Sequence, residues 1–242
     1  MFEDKKNFAF DLYGTLIDIK TDENKSVLWS SMANYYSMFG ALYTDNDLRL
    51  EYSRLCRLET DAIIKKSKKT RYKLDEREAE IDLYNVFAQL FENKGVKADE
   101  ADVKRAAVTF RSISLEKLRL FPGAINLLET LKARGKKVYL FSNAQELFTI
   151  PELHATGLYD YFDDIKISSA IGAKKPSQAF YTAALKGLKA SESVMIGNDE
   201  FADIRGAMTS GMSACYIQSE QSPSFPRNLP CVQINTLTDL LY

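Results

Sequence analysis

The chain has 242 residues, of which 45% are hydrophobic and 27% charged, and its formal net charge is −1. A chain of this length can bury a sizeable core, either as one large domain or as a domain that carries an insertion. The charge balance gives no support for a nucleic-acid-binding surface, and no apolar run approaches the ~18 residues that a membrane span needs.

The first predicted element is a strand, FAFDL at 8–12, and a long helical region follows it. Residues 19–118 contain almost no β-like run. They contain many helix-like segments, including 27–39, 49–64 and 77–95. This region of about a hundred residues, before the next strand-like run, indicates an inserted all-helical module.

A charged stretch lies inside this helical region. The run KKSKKTRYK at 65–73 carries six basic residues, and the acidic run DEREAE follows at 75–80. Opposite charges so close along the chain favour a solvated, self-compensating face. The alternative is that one or two of the lysines reach an anionic substrate, because an inserted module can close over a neighbouring site.

Beyond Pro122-Gly123, apolar runs rich in β-branched and aromatic residues alternate with helix-like segments at 124–135 and 177–188. The predicted strands are VYLFS at 138–142, IKIS at 165–168, VMIG at 194–197, ACYI at 214–217 and a weaker CVQI at 231–234. Continuous apolar runs are typical of strands buried on both faces. The pattern therefore predicts an α/β fold with a Rossmann-like parallel sheet flanked by helices, which binds ligands beyond the carboxyl ends of its strands.

The cysteines, the single histidine and the N-terminal residues narrow the metal sites and the cellular location that we expect. Cys56, Cys215 and Cys231 are an odd number without metal-site spacing, so we expect reduced thiols and a cytoplasmic protein. One histidine, His154, rules out multi-histidine metal sites and disfavours a histidine-based triad. The N-terminal MFEDKK lacks the apolar core of a signal peptide.

Four polar clusters follow predicted strands. Taken alone, each has an ordinary interpretation as a turn, a cap or a helix start. The clusters are Asp11-Leu12-Tyr13-Gly14-Thr15, Ser142-Asn143, Lys175-Pro176, and Gly197-Asn198-Asp199 with Asp203. Because the carboxyl ends of parallel strands meet at one edge of a sheet, a carboxylate nucleophile, a hydroxyl, a lysine and further acids could surround one anion there.

This set of clusters, in this order, resembles the haloacid dehalogenase-like superfamily of hydrolases over the whole sheet domain. The helical insertion after the first cluster is similar to the family's type-one cap. We therefore predict a helical cap at 18–118, inserted into an α/β core that comprises 1–17 and 119–242.

The resemblance implies a role for each matching residue. Asp11 would be the nucleophile that forms a covalent aspartyl intermediate, which water then cleaves. Thr15 and Ser142 match hydroxyls that bind the nucleophile and the transferring group, with Asn143 beside them. Lys175 matches the lysine that neutralises the nucleophile and the phosphoryl oxygens.

The resemblance also implies a Mg²⁺ cofactor. Its ligands would be Asp11, Asp199 and Asp203, together with the backbone carbonyl of Tyr13, because Mg²⁺ prefers hard oxygen ligands and keeps several waters. Asn198 stands where many relatives carry an acid after the glycine. We therefore assign Asp199 as the direct ligand and keep Asn198 as a candidate helper.

Tyr13 departs from the family's phosphatases, in which the residue two after the nucleophile is an aspartate. That aspartate protonates the leaving group and then activates water, and such help is worth roughly 10²–10⁴-fold. A neutral phenol is a poor base for water. Tyr13 thus argues against a phosphatase that uses the standard acid, or indicates leaving groups that need no proton.

A tyrosine at this place is similar to the 2-haloacid dehalogenases, which release halide without a metal. Those enzymes carry an arginine early in the cap, whereas here the first arginine is Arg49 and Leu42 lies near the expected place. A metal-free enzyme would also not need Asp199 and Asp203. We expect a Mg²⁺-dependent phosphohydrolase for a small phosphorylated metabolite, without nucleic-acid or membrane partners. A dehalogenase and a weakly active or non-catalytic phosphate binder stay open, as do the substrate and the oligomeric state.

Overall fold

The computed structural model describes residues 1–223 and 229–242. The strands are β1 (Asn7–Phe10), β2 (Ile17–Thr21), β3 (Leu115–Leu120), β4 (Lys137–Ser142), β5 (Asp164–Ile167), β6 (Ser193–Gly197), β7 (Ser213–Ile217) and β8 (Val232–Ile234). The α-helices are α1 (Ser26–Ser37), α2 (Asp45–Ser67), α3 (Leu83–Glu92), α4 (Glu100–Ser114), α5 (Ala124–Ala133), α6 (Glu146–Ala155), α7 (Ser168–Ile171), α8 (Gln178–Ala184) and α9 (Gly206–Thr209). A π-helical turn occupies Glu200–Arg205, and 3₁₀ turns occupy Tyr159–Tyr161, Ala190–Glu192 and Leu237–Leu241.

The core is a six-stranded parallel sheet with strand order β5-β4-β1-β6-β7-β8. Both faces of the sheet are covered, as the continuous apolar runs predicted. In β1, Phe8 packs into a cluster that includes α5, while its neighbour Ala9 faces a second cluster that includes α8 and α9. The predicted strands and the predicted α/β class are confirmed.

Helices α1–α4 and the connections between them, called the cap below, form a separate hydrophobic cluster with an aromatic centre. Tyr36, Phe87 and Phe110 are almost fully buried in it. The insertion is not entirely helical, however. It joins the core through the antiparallel pair β2–β3. The sequence did not predict this pair, because the charged residues of LEKLRL at 115–120 interrupt the apolar pattern of a strand that is only half-buried.

The predicted helix at 77–95 forms only as α3. The side chain of Asp82 accepts a hydrogen bond from the Tyr84 amide at 2.9 Å and starts the helix there. Residues 76–78 form a turn, and Ala79 directly after it forms an isolated antiparallel bridge with Ala173 of the core. The prediction of a solvated acidic run was therefore wrong for its last member, because Glu80 is buried.

Two further findings concern the described residues. None of their helices is long and apolar enough to cross a membrane. The three cysteines are not joined in disulfides.

Candidate active site

The first polar cluster begins at the centre of the sheet edge. Asp11 follows β1, and its amide donates to the carbonyl of Ile196 in β6 at 2.9 Å. The chain then turns sharply at Gly14, which has φ of +86°. A Cβ at this glycine would lie 2.2 Å from the Asn198 amide nitrogen, so only glycine lets the first and fourth clusters approach this closely.

Lys175 joins Asp11 to the fourth cluster. Its Nζ donates to Asp11 Oδ1 at 2.8 Å, to Asp203 Oδ1 at 2.6 Å and to the carbonyl oxygen of Phe141 at 2.7 Å. These contacts use all three protons of the ammonium group. Burial works against the charge of Lys175, but Asp11 and Asp203 outweigh it and raise the pKa of Lys175. The lysine is thus held charged in one orientation.

Asp203 is committed to protein contacts through both carboxylate oxygens. Besides Lys175, it binds the amide of Asp199, which donates to its Oδ2 at 3.0 Å. Gly197 makes room for it, because a Cβ there would lie 2.2 Å from the same oxygen. Burial and the nearby charge of Asp11 raise the pKa of Asp203. The geometry therefore makes Asp203 a partner of Lys175 rather than a free metal ligand.

The hydroxyl-bearing residues lie beside this ion-pair cluster. Thr15 Oγ1 lies 3.2 Å from Asp11 Oδ2 and 3.3 Å from Asn198 Oδ1. Ser142 Oγ is buried at the end of β4 and has no hydrogen-bond partner among the described residues. A buried hydroxyl without a partner is unusual in a native protein, and a ligand oxygen would satisfy it.

Asn143, predicted to lie beside Ser142 at the phosphate, contacts the backbone of Lys175. Its side-chain Nδ2 donates to the carbonyl of Lys175 at 3.0 Å, and its Oδ1 accepts from the Lys175 amide at 2.7 Å. The amide therefore braces the backbone of the lysine.

A small cavity of about 160 Å³ connects most of the predicted residues. Its lining comprises Asp11, Tyr13, Asn143, Lys175, Asn198, Asp199, Ala202, Asp203, Gln221 and Pro223. Thr15 and Ser142 are not among these lining residues. A larger cavity of about 810 Å³ borders Gly14 and Thr15, but neither Asp11 nor Lys175 lines it.

The charges around the small cavity fit a divalent cation. Three carboxylates and one ammonium line it, a formal charge of −2. Asp199 uses Oδ1 to cap the π-helical turn through the amides of Phe201 and Ala202. No three Asp, Glu, His or Cys side chains in the described ranges converge closely enough to hold a metal alone. Mg²⁺ needs only one or two carboxylates beside waters, so a site built on Asp11 and Asp199 fits the donors present.

The side chain of Tyr13 is bound to α6. Its hydroxyl donates to Glu152 Oε2 and lies 3.1 Å from Thr149 Oγ1. Burial, followed by the charge of Glu152, raises the pKa of Tyr13. The phenol proton is thus committed to a carboxylate.

Sequence reasoning missed the residues that hold Tyr13. Glu152 is buried on α6, and its Oε1 accepts from Arg111 Nε of the cap helix α4 at 2.6 Å. The Arg111 guanidinium lies 5.0 Å from the ring centroid of Phe148. Neither charged residue has a distinctive sequence pattern, and only the packing of α4 on α6 brings them together.

A family model described as haloacid dehalogenase-like hydrolase matches residues 5–211. The chain is 33% identical over 115 residues to a glyceraldehyde 3-phosphate phosphatase of Methanothermobacter thermautotrophicus, covering 47% of this chain and 51% of the relative. It is 35% identical over 114 residues to a ribulose-1,5-bisphosphate 5-phosphatase of Halopiger xanaduensis, covering 46% and 48%. The matches thus span about half the length of these relatives.

A solved structure shares the fold over nearly the whole chain. It is a 2-haloacid dehalogenase from Pseudomonas syringae pv. Tomato, with a TM-score of 0.59 and 22% identity. The superposition covers 98% of this chain and 96% of the dehalogenase. At this identity the likeness concerns the fold alone.

Proposed function

The chain belongs to the haloacid dehalogenase-like hydrolases, and we propose that it is a phosphohydrolase whose nucleophile is Asp11. The observation that carries the proposal is the carboxylate of Asp11, fixed by Lys175 and Thr15 at the wall of a small charged cavity. The phosphatase names of the relatives support phosphorus over carbon as the reacting centre.

Each residue of the site has a defined part in the proposed reaction. A carboxylate oxygen of Asp11 attacks phosphorus, the bond to the leaving group breaks, and an aspartyl-phosphate forms. Lys175 neutralises negative charge on Asp11 and the incoming phosphoryl group. The hydroxyl of Ser142, which has no hydrogen-bond partner among the described residues, binds a phosphoryl oxygen. Water then cleaves the intermediate to release phosphate and regenerate the carboxylate.

The proposed cofactor is Mg²⁺, held by Asp11, Asp199 and the carbonyl of Tyr13, with waters completing the shell. When bound, it supplies positive charge that offsets the carboxylates and the phosphoryl group. We assign Asp203 mainly to orienting Lys175, because it is more deeply buried than Asp11 and binds the Lys175 ammonium and the Asp199 amide.

The contacts of Tyr13 bear on the substrate. Its proton is held by Glu152, and no aspartate stands at this position to protonate a leaving group. We therefore propose small phosphorylated substrates with leaving groups that depart without a proton. Acyl and aryl phosphates have that chemistry.

The test measures phosphate release from acetyl phosphate and p-nitrophenyl phosphate, with Mg²⁺ or with a chelator. We expect release with Mg²⁺, loss of release with chelator, and loss in Asp11→Asn. The matched control is Asp160→Asn, which changes an exposed aspartate of the core and should behave like the unchanged protein.

Absence of phosphate release from both substrates would overturn the proposal. Chloride release from 2-chloropropionate in the presence of chelator would then identify a dehalogenase. Binding of orthophosphate without turnover of either substrate class would identify a phosphate-binding protein.

A further inference from the structure

A short segment of the cap lies against the loop that carries the catalytic lysine. Residues 78–80, in the connection between α2 and α3, run antiparallel beside 172–174, the three residues directly before Lys175. The amide of Lys174 donates to the carbonyl of Glu78 at 2.7 Å. The cap thus supplies backbone hydrogen bonds to a loop of the core.

The side chain of Glu80 anchors this segment. It is 8% exposed, its Oε2 accepts from Ser168 Oγ at 2.7 Å, and its Oε1 accepts from Gln145 Nε2 at 3.1 Å. The Lys174 ammonium lies 4.0 Å from Oε1. Burial raises the pKa of Glu80, and these donors oppose the shift. A buried carboxylate with this many donors holds its neighbours firmly.

The two residues that donate to Glu80 belong to the loops of the site. Gln145 lies two residues after Asn143, and Ser168 opens the helix that leads into 172–174. Asn143 in turn makes two hydrogen bonds to the backbone of Lys175. Glu80 therefore touches both loops that meet at the lysine.

The lysine itself has no freedom to compensate for movement of its loop. Its Nζ binds Asp11, Asp203 and the carbonyl of Phe141 at 2.6–2.8 Å, with no proton left over. A backbone shift of a few tenths of an ångström would lengthen the bond to the nucleophile, and hydrogen bonds weaken steeply as their geometry departs from the optimum.

We propose that Glu80 is a positioning residue for Lys175, and that docking of the cap segment 78–80 holds the lysine in its reactive place. The role depends on the proposed function only because Lys175 matters to catalysis if Asp11 reacts. Glu80 touches no reacting atom and acts through Ser168, Gln145 and residues 172–174.

The experiment compares Glu80→Ala with Glu76→Ala, which changes an exposed glutamate of the same acidic run. We measure kcat and KM for p-nitrophenyl phosphate, and amide hydrogen exchange at Lys174 and Lys175 in the full chain. In Glu80→Ala we expect kcat to fall about 10- to 100-fold with a smaller change in KM, because a displaced group costs rate. Exchange at both amides should rise about tenfold. Glu76→Ala should change neither.

Glu80→Gln covers the case in which the alanine variant fails to fold. It keeps the shape and one acceptor oxygen, so kcat should fall less than in Glu80→Ala and exchange should rise less. An unchanged kcat in both Glu80 variants would overturn the proposal. A loss of kcat with unchanged exchange at Lys174 and Lys175 would overturn it too. If the unchanged protein releases no phosphate, the proposed function fails, and the exchange measurement alone decides the role of Glu80.

Discussion

At the scale of single residues, the contacts of a side chain decide its role more than its place in a motif. Ser142 and Asn143 are neighbours in one cluster, yet their side chains do different things. Ser142 has a buried hydroxyl that finds no partner in the described part of the chain and is therefore suited to a ligand oxygen. The side-chain amide of Asn143 makes two hydrogen bonds to the backbone of Lys175.

Tyr13→Phe tests whether the phenol takes part in the reaction. Because the hydroxyl is bound to Glu152, we expect kcat for p-nitrophenyl phosphate to stay within a few-fold of the unchanged protein. The free energy of unfolding should fall by about 1–2 kcal/mol, since a buried carboxylate loses one hydrogen bond and keeps Arg111. Enzyme assays and urea denaturation measure the two quantities.

The control is Tyr161→Phe, which removes a phenol that donates to the exposed Glu129 at 3.0 Å. Its cost should be within about 0.5 kcal/mol, as for most surface changes. A loss of kcat above about 100-fold in Tyr13→Phe would contradict the expectation and assign the hydroxyl to proton transfer.

At the scale of elements, the β2–β3 pair joins the cap to the core and is braced by ion pairs. Glu116 binds the ammonium groups of Lys20 and Lys25 at 2.7 and 2.9 Å. These hydrogen bonds lower the pKa of Glu116 to about 2. Asp18 is similarly bound by Lys117 at 2.7 Å, and its pKa is lowered as well.

This geometry predicts that the stability contributed by the β2–β3 pair falls at acidic pH. A carboxyl group whose pKa is lower in the folded state stabilises the fold above its unfolded pKa of about 4.3, and loses that effect as the pH falls through the folded value. We therefore expect the loss of Tm between pH 5 and pH 2 to be smaller in Glu116→Gln than in the unchanged protein. Thermal melts followed by circular dichroism measure it.

Asp61→Asn serves as the control, because Asp61 is exposed on α2. High salt should also reduce the difference between Glu116→Gln and the unchanged protein, since exposed ion pairs are screened. Identical pH profiles of Tm for Glu116→Gln and the unchanged protein would show that these ion pairs do not stabilise the β2–β3 pair.

At the scale of the whole molecule, the cap and the core share one packed interface. Phe148 belongs to the core helix α6, yet its ring packs in the aromatic cluster of the cap. It lies nearly parallel to Phe110 with centroids 6.3 Å apart, and 6.4 Å from Phe87. Together with the segment 78–80, this ring ties the two parts at points distant along the chain.

Phe148→Ala should loosen the cap. Removing a buried phenyl ring costs about 3–5 kcal/mol, and here the loss falls on the junction. Trp29, the only tryptophan, lies in the cap cluster, so its fluorescence reports the cap while far-UV circular dichroism reports the whole chain. In urea we expect coincident transitions for the unchanged protein and an earlier fluorescence transition in the variant.

Leu50→Ala is the matched control, because Leu50 is 60% exposed on the cap. It should leave both transitions coincident. Coincident transitions in Phe148→Ala as well would mean that the cap and the core unfold together without this ring.

The sequence by itself determined the parallel sheet and the edge at which Asp11 and Asp203 meet, whereas Lys175 reaches that edge from the loop after α7. Apolar runs and turn residues are local signals, and parallel topology then brings the ends of β1, β4 and β6 together without further information. The family was identified differently, from the resemblance of four short clusters and their order to the haloacid dehalogenase-like hydrolases.

Only the tertiary structure decided how the site is supported. Glu152 binds Tyr13, and Glu80 braces the loop of Lys175, across sequence distances that carry no periodic signal. The acidic run around Glu80 was expected to be solvated because charges usually are, and burial became tolerable only where Ser168 and Gln145 supplied donors. Such pairs depend on how α4, α6 and the cap connection pack, and packing is a property of the whole chain.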